Sequence, residues 1–217
     1  MPFKNTQYKK LNFIQSLQLK KLKQQYLKKK GTPLLKRIFN NRVKILQPDL
    51  SKPIFVPLQD EGDTNITKFS PFKKMDDFVG YLSKNYPKQQ FIVRPHPLFK
   101  DVYIGKYNNV EIDPPSNNYL ETLNQCGLVM GINSTTLLES ALYNKPVIAF
   151  GQSIGTGTGV FYDADKSAPP KLKKVKINNK HACAFLYFLL AKVQMKQNKL
   201  GDYNYIMKSR LFDLLQG

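Results

Sequence analysis

Residues 128–151 read LVMGINSTTLLESALYNKPVIAFG, and this stretch decides the fold. Leu128-Val129-Met130-Gly131-Ile132 is apolar without alternation. Such a run fits a strand buried on both faces, as in a parallel sheet. The hydroxyl-rich turn Asn133-Ser134-Thr135 follows. A helical pattern over Thr136–Tyr143 comes next, and then a second apolar run, Val147-Ile148-Ala149-Phe150, closed by Gly151.

The same alternation runs upstream. Ile54-Phe55-Val56-Pro57-Leu58 predicts a strand, and a polar loop extends from Gln59 to Phe72. Met75–Leu82 predicts a helix with Phe78, Val79 and Leu82 on its apolar side. Phe91-Ile92-Val93 and Val110-Glu111-Ile112 predict two more strands, and Tyr119–Asn124 a short helix. Strands alternating with helices over short connections indicate an α/β fold, a Rossmann-like doubly wound parallel sheet. Ala182–Val193 lies in a strongly apolar helix expected over 182–195, suited to covering a sheet face. A last helix is expected over 203–215.

Charge divides the chain. The formal net charge is +19 over 217 residues. Residues 1–48 hold 13 Lys/Arg and no acid, residues 49–163 hold 10 basic and 12 acidic residues, and residues 164–217 hold 11 and 3. The expected organisation is a basic helical segment over 1–50, a Rossmann-like core over 51–163, and basic C-terminal helices over 164–217 that pack on the core. A nucleic-acid-binding domain carries charge on its working face. Here the core is near neutral and shows no aromatic–basic stripe, so no nucleic-acid partner is expected. The N-terminal helix, expected over 8–30, has Leu11, Ile14, Leu19, Leu22 and Tyr26 at helical steps, and Gly31-Thr32-Pro33 ends it. It reads either as a solvated helix packed on the domain or as an arm attracted to an anionic membrane surface.

Cys126 and Cys183 lie far apart in apolar surroundings and are expected as buried free thiols in a reducing compartment. Two histidines exclude a His-rich zinc site, and no metal or cofactor is expected. The N-terminus lacks the apolar core of a secretory signal. The longest apolar stretch falls short of the roughly 20 residues that span a bilayer. A soluble cytoplasmic protein is expected, peripheral on the inner face of the cytoplasmic membrane.

In open α/β sheets, ligands bind outside the carboxyl ends of the strands. The loops there are the chemically richest in this chain. Gln59-Asp60-Glu61-Gly62-Asp63 gathers three carboxylates after the first strand. A carboxylate at this place suits a base or a nucleophile, and equally a capped polar turn. Arg94-Pro95-His96-Pro97 follows the second strand. Its prolines hold His96 out of helix, and the Arg–His pair suits an anion such as phosphate. Asn133-Ser134-Thr135-Thr136 opens a helix with Glu139 one turn in. Hydroxyls and N–H groups at a helix N-terminus bind phosphate, and also serve as an ordinary cap. Gly151 to Gly159 holds four glycines in nine residues, a mobile or tightly turned loop. It lacks the Gly-Lys-Ser/Thr of a P-loop. A lid or acceptor loop is expected there.

Together these loops resemble the capsule polysaccharide biosynthesis proteins of the KpsC/KpsS type. The resemblance runs from about Pro53 to Tyr162. It rests on Val56-Pro57-Leu58-Gln59, Asp63, Ser70-Pro71-Phe72 with Met75, and Arg94-Pro95-His96-Pro97. Asn133-Ser134-Thr135 with Glu139, Lys145-Pro146-Val147, Gly151 and Phe161-Tyr162 complete it. Asp60-Glu61-Gly62, His96-Pro97 and Ser134-Thr135 are also similar to the three motifs of bacterial sialyl- and polysialyltransferases.

The resemblance implies the C-terminal nucleotide-binding half of a GT-B glycosyltransferase of surface polysaccharide biosynthesis. Such an enzyme transfers Kdo or a related acidic sugar from a CMP-activated donor to a lipid or oligosaccharide acceptor, without metal. It implies donor binding by Arg94, His96, Pro97, Asn133, Ser134, Thr135, Thr136 and Glu139, with His96, Ser134 and Thr135 on the phosphate and Glu139 on the ribose. Asp63, Asp60 or Glu61 would be the catalytic carboxylate. A nucleophile would accompany retention of configuration as in the KpsC/KpsS type, and a base would accompany inversion as in the sialyltransferases. Gln59, Gly155, Gly157 and Tyr162 would line the acceptor or lid. The N-terminal half of a GT-B enzyme is expected to be missing or reduced here. The alternative is therefore a non-catalytic or partner-dependent CMP-sugar-binding subunit, with a protein partner supplying that half.

Overall fold

The computed structural model describes residues 10–29, 43–97 and 102–193. Its helices are α1 (Phe13–Lys29), α2 (Thr64–Phe69), α3 (Met75–Asn85), α4 (Tyr119–Gln125), α5 (Thr135–Leu142) and α6 (Asn179–Phe188). A π-turn over Leu189–Val193 continues α6. Its strands are β1 (Ile45–Leu46), β2 (Ile54–Pro57), β3 (Phe91–Arg94), β4 (Val110–Ile112), β5 (Leu128–Gly131), β6 (Val147–Ala149), β7 (Tyr162–Asp163) and β8 (Ile177–Asn178). The helix expected over 203–215 lies outside the described residues.

Six strands form one sheet in the order β4-β3-β2-β5-β6-β7, and every pair is parallel. The chain starts at β2, builds outward through β3 and β4, and returns to β5 on the other side of β2. The boundary between β2 and β5 is thus the point where strand order reverses.

Alternate side chains of each strand enter opposite layers. Phe55, Val129 and Val147 join a core with Leu19 of α1, Leu120 and Leu123 of α4, Leu137 and Ala141 of α5, and Phe185 and Leu186 of α6. Ile54, Val56, Phe91, Val93, Leu128, Met130 and Ile148 join the other core. There they meet Ile66 of α2 and Met75, Phe78, Val79 and Leu82 of α3. The unbroken apolar runs are therefore explained by helices on both faces. Gly131 allows α5 to lie close: a Cβ there would meet Leu137 Cδ2 at 2.7 Å.

Four differences from the sequence reading have physical causes. The loop expected over 59–72 contains α2, whose six residues bury Ile66 alone and so carry little periodicity. The flanks are tied together, since β1 pairs antiparallel with β8, two residues each. Ile14 is exposed, because α1 is rotated so that Leu19 and Lys23 face inward. Cys183 is half-buried, whereas Cys126 is fully buried.

Candidate functional site

Three neighbouring strands, β3, β2 and β5, deliver their following loops to one edge of the sheet. His96 follows β3, the carboxylates of 60–63 follow β2, and Ser134 follows β5. Pro57 pairs in register with Arg94, and the Leu58 N–H donates to the Arg94 carbonyl at 2.9 Å. The β2 and β3 loops therefore leave the sheet side by side.

At the reversal point, Gln59 and Asn133 lock two loops together. Gln59 Nε2 donates to Asn133 Oδ1 at 2.9 Å, and the Asn133 backbone N–H donates to Gln59 Oε1 at 3.2 Å. Asn133 Nδ2 donates to the carbonyls of Asn65 and Gln152. The loops after β2, β5 and β6 are thus joined through one buried asparagine. Gln59 is buried as well, with both amide ends engaged by Asn133, so it does not line an open acceptor surface.

Ser134 caps α5, its hydroxyl accepting from the Thr136 N–H at 3.2 Å. Thr135 is exposed and Thr136 half-buried at the same helix start. Glu139, one turn along, accepts from the Tyr119 hydroxyl at 2.7 Å. The face of α5 that begins with the hydroxyls is therefore extended by a positioned carboxylate.

The three carboxylates have different surroundings. Asp60 Oδ1 accepts from the Gly62 N–H at 2.9 Å and closes the turn. Asp63 caps α2 through the Asn65 N–H at 2.8 Å. Glu61 is bound at both oxygens, by the Met75 N–H at 2.7 Å and Lys74 Nζ at 2.9 Å. It thereby anchors the start of α3 and raises the Lys74 ammonium above its ordinary value, mainly through their hydrogen bond.

Arg94 does not face an anion site. Its guanidinium pairs with Asp113 and donates to the carbonyls of Pro115 and Asn117 at 3.0 and 2.7 Å. Asp113 also accepts from Asn117 Nδ2 and Thr122 Oγ1. A buried carboxylate takes the positive charge, and Arg94 holds the 113–117 turn instead. His96 is half-buried between buried Pro95 and exposed Pro97.

The glycine-rich segment takes the tightly turned form. Gly155 is buried, and a Cβ there would meet the Phe161 ring at 2.4 Å. Gly157, at φ 72°, donates its N–H to Asp163 Oδ2 at 2.8 Å. Tyr162 lies in strand β7 and packs against the Phe78–Phe150 core rather than in a loop. Beside this segment, a cavity of about 500 Å³ opens at the ends of β6 and β7. Lys68, Ser70, Gly151, Thr156, Asp163 and Lys166 are among its walls. Lys166 sits 4.5 Å over the Phe72 ring. Sequence reasoning did not find this cavity, because its walls come from α2, the β6 loop and the segment after β7. Ser70-Pro71 and the Gly151–Gly159 loop were its visible traces.

The sequence model of a family described as capsule polysaccharide biosynthesis protein matches residues 2–199. The chain belongs to this family. Among solved structures, a Thermosulfurimonas dismutans KpsC structure described as beta Kdo 2,7 transferase superposes with TM-score 0.52 at 19% identity, covering 81% of this chain and 53% of that one. A second KpsC structure from the same organism, described as beta Kdo 2,4 transferase, gives TM-score 0.52 at 15% identity, with 80% and 55% covered. These likenesses are of fold, and the chain spans about half the length of each. Protein FixF of Sinorhizobium fredii (strain NBRC 101917 / NGR234) is 31% identical over 112 residues, covering 46% of this chain and 26% of FixF.

Proposed function

We propose that this chain carries the donor-binding half of a glycosyltransferase. The donor is a CMP-activated acidic sugar, Kdo or a relative, and the acceptor is a lipid or saccharide. The observation that carries this reading is the hydroxyl-bearing start of α5 at the reversal point of the sheet, fixed by the Gln59–Asn133 pair. A single phosphate fits the N–H groups and hydroxyls of Ser134, Thr135 and Thr136, with His96 reaching from the β3 loop. Glu139 holds the ribose hydroxyls. As the sugar–phosphate bond breaks, charge grows on CMP, and prepositioned donors stabilise it more in the transition state than in the ground state. Glu61 is committed to α3, so the carboxylate at the anomeric carbon is Asp60 or Asp63. Arg94 is not part of donor binding. Lys68 and Lys166 at the neighbouring cavity suit the sugar carboxylate.

Calorimetry with CMP tests this. The expected affinity is on the order of micromolar, and Thr135→Val or His96→Ala weakens it at least about tenfold. Undetectable CMP binding by the intact chain overturns the reading. A second reading is a partner-dependent CMP-sugar-binding subunit. CMP binding without donor hydrolysis or transfer, until a partner protein is added, would select it.

A further inference from the structure

The face of α1 turned away from the domain carries a feature that donor binding does not use. Phe13, Ile14 and Leu17 are 77%, 65% and 51% exposed, while Leu19 and Lys23 of the same helix are buried. Tyr187 of α6 donates to Gln18 at 2.7 Å, so the inner side of α1 is already occupied by α6. Residues three and four apart share one helix face, as Phe13 and Ile14 do with Leu17. Lys20 and Lys21 fall three and four residues after Leu17, on that same side, and both are exposed. Exposed Lys10 stands just before the helix. Exposed apolar side chains among lysines suit a helix lying along a membrane interface.

We propose that this outer face of α1 docks on an anionic lipid bilayer, lying along the surface with Phe13, Ile14 and Leu17 inserted among the acyl chains. Charge complementarity selects this occupant. Exposed Lys10, Lys20 and Lys21 stand on or beside this face, and residues 1–48 contain no acid, so the face attracts anionic headgroups. A second copy of the chain would set lysines against lysines. No helix of the described residues is long and apolar enough to cross a membrane, so the contact is with one leaflet. The inference does not depend on the donor chemistry, and its test makes no use of CMP.

The chain has no tryptophan, so Phe13→Trp provides a single reporter at the centre of the face. Adding vesicles of phosphatidylcholine with about one-third phosphatidylglycerol should shift its emission to the blue, whereas phosphatidylcholine alone should not. Phe13→Ser/Ile14→Ser/Leu17→Ser should reduce co-sedimentation with the anionic vesicles at least about tenfold, with unchanged circular dichroism and thermal midpoint. Lys10→Gln/Lys20→Gln/Lys21→Gln should also weaken it, and wild-type binding should fall with salt. A triple serine variant that pellets like wild type overturns the proposal. So does a Phe13→Trp chain whose emission is unmoved by anionic vesicles, a readout that holds even where the serine variant unfolds. Self-association that the serine variant abolishes, or an acidic protein that protects the face while vesicles do not, also overturns it.

Discussion

The side chains of Gln59 and Asn133 meet across the boundary of β2 and β5, with Nε2 to Oδ1 at 2.9 Å and backbone N–H to Oε1 at 3.2 Å. Asn133 also holds the carbonyls of Asn65 and Gln152. Truncating it strands several buried polar groups at once. Asn133→Ala should therefore lower stability by about 2–4 kcal/mol in urea unfolding. It should also release the β6 loop, seen as faster amide exchange at Gln152. Unchanged stability would mean that the three loops are held by other contacts.

The Arg94–Asp113 pair makes a sharper claim, because it separates structure from ligand binding. Both side chains are nearly buried, at 11% and 4% exposure. Breaking a buried pair leaves an uncompensated charge, so Asp113→Ala should destabilise by about 3–5 kcal/mol. Arg94→Lys, which cannot reproduce the fork to Asp113 and the two carbonyls, should also lower the unfolding midpoint. Neither variant, while folded, should change CMP affinity by more than about twofold. A selective loss of CMP binding at full stability would return Arg94 to the anion site.

The sheet was legible in the sequence because its strands are buried on both faces. Runs such as Ile54–Leu58 and Leu128–Ile132 have no amphipathic ambiguity, and helices α3, α4 and α5 carry clear spacing. The short elements were hidden for the opposite reason. β1, β7 and β8 have two residues each, and α2 buries one side chain, so no period can show. At the candidate site, motif order located the loops, but residue type could not assign work within them. Arg94 looked like an anion ligand, and only the buried Asp113, nineteen residues away, reveals its structural use. Glu61 looked equivalent to Asp60, and only the packing of α3 against the loop separates them.

Tyr81 presents a hydroxyl that is buried without a hydrogen-bond partner among the described residues. Its ring packs on Phe72 and Phe150 at centroid distances of 5.2 and 5.6 Å. Burial, and after it the nearby Asp165 charge, raises the phenol above its ordinary value. Removing an unpaired buried hydroxyl while keeping the ring relieves desolvation. Tyr81→Phe should be neutral or stabilising by up to about 1 kcal/mol in thermal unfolding. A loss larger than that would reveal a partner for the hydroxyl.

The two thiols should differ in reactivity. Cys126 is fully buried, and its thiol is pushed up to about 11, chiefly by burial. Cys183 is half-buried on α6. Because the thiolate is the reacting form, Cys126 should resist a disulfide reagent at pH 8 until the chain unfolds. Native protein should therefore titrate one thiol and denatured protein two. Two fast thiols in the native state would contradict the packing around Cys126.

Lys23 gives a pH dependence with a definite sign. It is 1% exposed on α1, with Nζ 3.4 Å from Asn144 Oδ1. Desolvation lowers its pKa below the ordinary 10.5, against a smaller raising effect of Cys183. Below the folded value both states hold the proton, and the folded chain carries the full burden of a desolvated cation. Between the folded value and 10.5 the unfolded state binds more protons, so this burden declines as pH rises. Lys23→Met removes the charge and keeps the packing. It should stabilise the protein by about 1–3 kcal/mol at the acid end of the window. Measured by urea unfolding from pH 7 to 10.5, that advantage should shrink steadily as wild type recovers. An advantage that stays constant would show that Lys23 does not titrate in this window. A destabilised variant would show that the bond to Asn144 outweighs the desolvation.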